Sequence, residues 1–234
     1  MSNLNFHQIF EIQRQNDFKS IKKLAWVVFV SFLLCVCFQF LPIILDFAYD
    51  LKLLKFNSNT NILAMVFNAI FLISYLIMIL KLYFVSQSKV LLISFFIAAF
   101  TQFIALLSLN YLIANPVVVV DKILRIFLYG FSFLCLAIAI FCTFIFFKAL
   151  KTLCENKIYF TLCFIFKSAI LIIIYIFMFV LIYSEHSLAL IIAHFMIFLF
   201  TGLLFTIYYA LFAFALSKNK IPNLKLISNE KENI

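Results

Sequence analysis

The sequence predicts an all-α, polytopic membrane protein in which about six transmembrane helices form a bundle. Of its 234 residues, 67% are hydrophobic and only 12% are charged, whereas soluble proteins are about half apolar and about a quarter charged. The mean hydropathy is +1.19. Because burial rises only slowly with chain length, a soluble fold of this size cannot enclose so much apolar surface, and lipid is the expected solvent.

Six apolar blocks are each long enough to cross a bilayer, since about 20 helical residues at a rise of 1.5 Å span the hydrocarbon layer. Their apolar runs are continuous, which favours helices over barrel strands, whose residues alternate between apolar and polar. Together the blocks form one transmembrane domain over 25–216, and they cover 25–45, 62–80, 90–113, 123–147, 160–183 and 188–216.

The N-terminal segment, residues 1–24, is polar and is predicted to lie on the cytoplasmic side. Its apolar residues gather near one side of a helical projection, where Asp17 also falls: Phe6, Phe10, Ile21 and Leu24. This pattern predicts an N-terminal interfacial helix. The first block is too long for the apolar region of a signal peptide and is expected to stay in the mature protein.

Lysine and arginine are distributed unevenly between the two sides of the predicted bundle. Of the 18 basic residues, 13 fall in segments on the side of the two termini and four on the other side, while Lys167 lies inside a block. Cytoplasmic segments carry the excess of basic residues, so both termini, including the basic tail 217–234, are predicted to be cytoplasmic. The preference for Lys, Phe, Ile and Asn is typical of proteins from an AT-rich bacterial genome. We therefore expect a bacterial protein that resides in the cell inner membrane.

Small residues recur at heptad-like spacing in three blocks, and such residues let membrane helices approach closely. We predict that the seams of the third and fourth blocks face each other in an antiparallel hairpin. The fifth block contains no small residue from Ile170 to Tyr183, so we expect it at the edge of the bundle. The predicted seams comprise Ser94, Ala98, Thr101, Ala105 and Ser108 in the third block, Ser132, Cys135, Ala139 and Cys142 in the fourth, and Gly202, Thr206, Ala210 and Ala213 in the last.

A few polar residues lie within or near the predicted spans, where ionisable groups are costly and often functional. Lys167 lies about seven residues into the fifth block, so its side chain either reaches the membrane surface or forms a buried functional charge. The uncharged residues either form interhelical hydrogen bonds or line a narrow polar path. The weak candidates for such a path are Gln39, Asn68, Gln102, Asn110, Lys167 and His194.

The sequence contains no recognisable motif for catalysis or for cofactor or metal binding. Its six cysteines show no CxxC pair and no Cys–His spacing suited to zinc. The spans contain no pair of carboxylates for acid–base catalysis, and no Gly-rich loop suits a phosphate. His194 is the one histidine clearly inside a span, whereas a haem bundle needs paired ligands. We therefore expect no cofactor, no metal and no enzymatic activity.

Three functions are compatible with this pattern, and the least favoured is an intramembrane enzyme, which would need a convergent polar cluster open to water on one side. The favoured one is a non-enzymatic accessory, assembly or regulatory component, with the lipid bilayer and other membrane protein subunits as its partners. The alternative is a small-solute or ion transporter or channel that uses the polar path, although two glycines in the whole chain do not favour a transporter with broken helices. The net charge of +9 does not indicate nucleic acid, because the lysines lie at the ends of the predicted helices.

Overall fold

Six α-helices account for the secondary structure that the computed structural model describes, which covers residues 6–50, 60–114, 122–154, 157–183 and 188–220. Each helix is long and apolar enough to span a membrane, so the predicted polytopic helical bundle is confirmed. Every helix also exposes large hydrophobic side chains, such as Met65 (74% exposed) and Ile123 (76%), which suits a lipid environment. The helices are α1 (Phe6–Asp50), α2 (Thr60–Ser86), α3 (Lys89–Ala114), α4 (Lys122–Leu153), α5 (Ile158–Tyr183) and α6 (Leu188–Lys218).

The first helix, α1, is 45 residues long, which is about 67 Å at 1.5 Å per residue and roughly twice the thickness of the hydrocarbon layer. The N-terminal segment is helical, as expected, but it continues into the first span instead of forming a separate interfacial helix. No Gly or Pro precedes Pro42, so nothing interrupts the helix between the N-terminal segment and the first span. Residues buried at steps of 4, 3, 4 and 3 mark one continuous packed face: Arg14, Phe18, Ile21, Ala25 and Val28.

The chain divides into two compact units. The first is built mainly from α1, α2 and the last part of α6. The second is built mainly from α3, most of α4, most of α5 and the first part of α6. The first unit comprises residues 1–87, 151–159 and 206–234, and the second comprises residues 88–150 and 160–205.

In the first unit, α1 lies antiparallel to α2 and to the last part of α6. The ring of Phe32 on α1 lies 5.1 Å from that of Phe71 on α2 and 4.9 Å from that of Tyr209 on α6. Further along α1, Phe38 stacks at 5.5 Å on Phe67, which comes earlier in α2. Aromatic contacts therefore hold the three helices together within the apolar layer.

A turn of only two residues, Gln87 and Ser88, separates α2 from α3. Gln87 has a φ of 55°, in the left-handed region where residues other than glycine are uncommon. Its backbone N–H donates to the Tyr83 carbonyl at 2.7 Å, and its side-chain amide donates to the Phe84 carbonyl at 2.8 Å. The left-handed backbone of Gln87 therefore ends α2, and the two bonds satisfy carbonyls in the last turn of the helix.

In the second unit, α4 contacts both α3 and α5. Phe146 of α4 lies 5.9 Å from Phe95 of α3, and Phe144 of α4 lies 5.5 Å from Phe164 of α5. In α4, 44% of the most apolar segment is buried, against 22–33% in the other five spans. Among the described residues, α4 therefore has the most buried apolar segment of the six helices.

Among the described residues, the fifth helix is no more exposed than its neighbours. In its most apolar segment 28% of the residues are buried, as in α2 and α6, and the lowest value is 22%, in α3. Two of the bulky residues that we expected to face lipid, Ile170 and Leu171, are almost completely buried. Large apolar side chains suit a protein interior and a lipid surface equally well, so their presence does not place a helix at the edge.

Candidate functional site

The residues predicted to contribute to a polar path are distributed over both units. Gln39 and Asn68 belong to the first unit and are exposed, whereas Gln102 and Lys167 belong to the second unit and are half-buried. The remaining two candidates have side chains that lie outside the described part of the chain: Asn110 and His194.

Gln39 on α1 and Asn68 on α2 lie at the same level of the first unit. Each directly follows one member of the stacked pair Phe38 and Phe67, whose rings are 5.5 Å apart and 3° from parallel. Both amides are exposed inside candidate membrane spans, and among the described residues neither forms a hydrogen bond. Surface at this depth contacts lipid, another membrane protein or a water-filled path, and lipid chains offer an amide no hydrogen-bond partner.

Lys167 on α5 is followed by a buried serine. Ser168 is 9% exposed, and its hydroxyl has no hydrogen-bond partner within the described ranges. Adjacent residues on a helix do not face each other. The two side chains therefore do not form the Ser–Lys arrangement of a nucleophile and its base.

The predicted seam of α3 lies largely in the interior of the second unit. Its buried members are Ser94, Ala98 and Ala105, and its half-buried members are Thr101 and Ser108. The Thr101 hydroxyl donates to the Ile97 carbonyl at 2.8 Å, and the Ser108 hydroxyl donates to the Ile104 carbonyl at 3.0 Å. These two hydroxyls satisfy their own helix, while the alanines leave room for a neighbouring helix.

All four residues of the predicted seam of α4 are buried: Ser132, Cys135, Ala139 and Cys142. The Ser132 hydroxyl donates to the Ala105 carbonyl of α3 at 3.3 Å. A side chain as short as serine reaches a neighbouring backbone only where small residues let the two helices approach closely. The two seams therefore contact each other at Ser132 and Ala105.

The predicted seam of α6 is only partly buried. Ala213 is completely buried, whereas the other three residues are half-buried: Gly202, Thr206 and Ala210. The most buried side chains of α6 include Tyr208 and Phe212. Large aromatic residues, as well as small ones, therefore make the contacts of α6 in the first unit.

A cluster of polar side chains, which the sequence analysis did not predict, lies where α2 and α6 end in the first unit. We call it the helix-end cluster. It consists of Arg14, Asp17, Lys22 and Trp26 on α1, Lys81 on α2 and Ser217 on α6.

Arg14 is 8% exposed and fastens α1 to the end of α2. Its Nε donates to the Val85 carbonyl at 3.2 Å, and its Nη1 lies 3.6 Å from Glu11 Oε1. A cation is favourable at a helix C-terminus, because the last carbonyls are unpaired and carry partial negative charge. About one turn further along α1, Asp17 forms an ion pair with Lys81 of α2 at 3.4 Å.

Lys22 and Trp26 fasten α1 to the end of α6. The Lys22 ammonium group donates to the Ser217 carbonyl at 3.1 Å, and the Trp26 indole N–H donates to the Ser217 hydroxyl at 2.8 Å. The same hydroxyl donates to the Ala213 carbonyl at 2.8 Å. One residue, Ser217, is therefore held both by its own helix and by two side chains of α1.

Spacing along α1 is the signal that indicates part of this cluster. Arg14, Phe18, Lys22 and Trp26 are four residues apart, so they lie along one side of the helix. The Lys22 ammonium group lies 5.2 Å from the centre of the Phe18 ring, a distance at which a cation is attracted to an aromatic face. The partners on α2 and α6 include backbone carbonyls, which every residue type provides and which no sequence pattern identifies.

The described part of the chain contains no group of three or more His, Cys, Asp or Glu residues that is suited to hold a metal ion. All six cysteines are free thiols. The candidate functional features of the described structure are the exposed amides, the helix-end cluster and the close contact of α3 with α4. No family model, no curated protein and no solved structure matches the chain.

Proposed function

We propose that the protein is a non-enzymatic accessory, assembly or regulatory subunit of a larger membrane complex, which it joins through helix–helix contacts. The observation that supports this most directly is the exposed pair of amides, Gln39 and Asn68. Each amide has both donors and an acceptor, and neither has a partner among the described residues. A helix of another membrane protein would supply both partners, at about 0.5–2 kcal/mol for each bond.

The surface that carries the two amides belongs to a pair of helices fixed to each other at several levels. Next to the amides, Phe38 stacks on Phe67, and at the opposite end Asp17 pairs with Lys81. The spacing between the two amides is therefore restricted before any partner arrives. Groups held in advance lose less conformational freedom on binding, which favours a recognition surface.

We further propose that the chain resides in a bacterial inner membrane with both termini in the cytoplasm. The start of α1 and the ends of α2 and α6 meet at one face of the first unit, and this face carries the lysines that predict a cytoplasmic location. A reporter that is active only outside the cytoplasm, fused after Lys231, is expected to be inactive. Activity of that reporter would reverse the proposed orientation.

Purification in a mild detergent tests the proposed subunit role. A second membrane protein is expected to co-purify with the tagged full-length protein at a constant ratio. It should no longer co-purify with the double variant Gln39→Leu/Asn68→Leu. Leu72→Met is the matched control, because it replaces an exposed apolar residue of α2 with one of similar volume. This control should retain the partner.

Three outcomes would count against the proposal. A monomer without any partner in mild detergent would contradict the subunit role. Retention of the partner by the double variant would reject the amides as the contact surface. Solute flux through vesicles that contain this chain alone would favour the transporter instead.

A further inference from the structure

Lys22 has hydrogen-bonding capacity that α6 does not use. Its ammonium group carries three donors, and one of them bonds to the Ser217 carbonyl at 3.1 Å. Lys220 lies three residues beyond Ser217, less than one helical turn, so the chain places a second lysine beside the carbonyl that Lys22 contacts. Two like charges held near each other favour an anion that contacts both.

The described carboxylates near this end of the first unit are already paired. Glu11 and Asp17 form the two ion pairs of α1, and within the described ranges no acidic side chain lies within 4 Å of Lys22 or Lys220. Positive charge therefore accumulates around Lys22 of α1 and the end of α6. Exposed lysines on adjoining turns add to it: Lys19, Lys23 and Lys218.

Trp26 indicates the depth of these lysines in the membrane. It is 43% exposed, and exposed tryptophans of membrane proteins concentrate at the level of the lipid headgroups. Lys22 lies one turn nearer the N-terminus, about 6 Å along the helix axis. On the other side of Trp26, Val27 and Val30 are 43% and 46% exposed and continue the apolar surface along α1.

We propose that Lys22 and Lys220 bind the phosphate group of an anionic phospholipid, whose acyl chain lies against Val27 and Val30. Free phosphate has the same charge, but only a lipid also uses the apolar strip beside Trp26. The site is 17 residues from Gln39 along α1, about 25 Å. It is therefore separate from the proposed partner surface, and its test does not depend on a partner.

Trp26 is the only tryptophan of the chain, so its fluorescence reports on this site alone. The full-length protein is placed in phosphatidylcholine nanodiscs that contain brominated phosphatidylglycerol or, at equal mole fraction, brominated phosphatidylcholine, because bromine quenches a nearby indole. We expect the anionic lipid to quench more strongly, with a preference of roughly fivefold for each lysine. Lys22→Gln/Lys220→Gln should lower this preference roughly 25-fold, because each lysine contributes about fivefold.

Two further variants make the result specific. Lys220→Gln alone leaves the bond from Lys22 to Ser217 intact and should lose roughly a fivefold preference without loosening α6. Lys89→Gln/Lys148→Gln removes the same charge from exposed lysines of the second unit and should retain the full preference. Equal quenching by the two lipids, or an equal loss in this control, would overturn the proposal.

Added salts distinguish the lipid from free phosphate. Inorganic phosphate and chloride are compared at equal ionic strength as competitors of the brominated anionic lipid. Displacement by neither salt supports a lipid site. Displacement by phosphate alone would reject the lipid in favour of free phosphate. Equal displacement by both salts would reject a specific site, because it would mean that surface charge in general attracts the lipid.

Discussion

The two units of the molecule are stabilised by different kinds of contact. In the first unit, the ends of long polar side chains such as Arg14 and Lys22 bond to the termini of neighbouring helices. In the second unit, small residues let α3 and α4 approach until Ser132 reaches the Ala105 carbonyl. The first unit should therefore be sensitive to the removal of polar groups, and the second to the addition of volume.

The largest effect is expected from Arg14→Ala in the first unit. This change removes the bond to the Val85 carbonyl and the ion pair between Arg14 and Glu11, so we expect the protein to lose about 3 kcal/mol of stability. The unfolding midpoint in detergent measures this loss. Arg14→Lys keeps the charge, so its unfolding midpoint should lie between those of the wild type and Arg14→Ala. A wild-type midpoint for Arg14→Ala would mean that Arg14 does not hold α1 to α2.

The second largest effect is expected from added volume in the second unit. Ala139 is completely buried on α4, so Ala139→Leu should destabilise the protein by about 2 kcal/mol through overpacking. Ala137→Leu is the matched control, because Ala137 is exposed on the same helix. Equal unfolding midpoints for the two variants would refute close packing of α4.

A smaller effect is expected from Ser132→Ala. The hydroxyl supplies one bond between α3 and α4, and such bonds contribute about 0.6 kcal/mol in membrane proteins. Ser108→Ala should leave the stability nearly unchanged, since its hydroxyl bonds to the Ile104 carbonyl of its own helix. A wild-type unfolding midpoint for Ser132→Ala, or an equal loss for Ser108→Ala, would contradict the contact.

The smallest effect, and the only stabilising one, is expected from Gly130→Ala on α4. A Cβ atom added at Gly130 meets no other atom within 4 Å, so the change costs no packing and should stabilise the helix by about 0.5 kcal/mol. Thermal unfolding tests the sign. Destabilisation would reveal a close neighbour of Gly130 outside the described part of the chain.

The sequence predicted the fold because apolar content decides whether a segment enters a membrane. It predicted less well which face of each helix is buried. Bulky residues such as Ile170 suit lipid and protein interior alike, so hydropathy did not reveal that they are buried. The seam of α4 was easier to predict, because small residues at heptad spacing are uncommon among the large residues of a lipid-facing helix.

The helix-end cluster shows a second limit of sequence reasoning. Polarity in the N-terminal segment predicts a region outside the first span, but it does not indicate that Arg14 and Lys22 bond to the ends of neighbouring helices. Their acceptors are the carbonyls of Val85 and Ser217, whose residue types have no bearing on the bond. Contacts of this kind appear only when the chain is folded.

The bond between Lys22 and Ser217 joins residues that are 195 positions apart in the chain. During synthesis α1 emerges first, and it has to wait for α6 before this contact can form. A ribosome that stalls within α6 would leave Lys22 and Trp26 without their acceptors. The packing of α6 against α1 is thus a late event in biogenesis. Only a chain that contains α6 can complete the first unit.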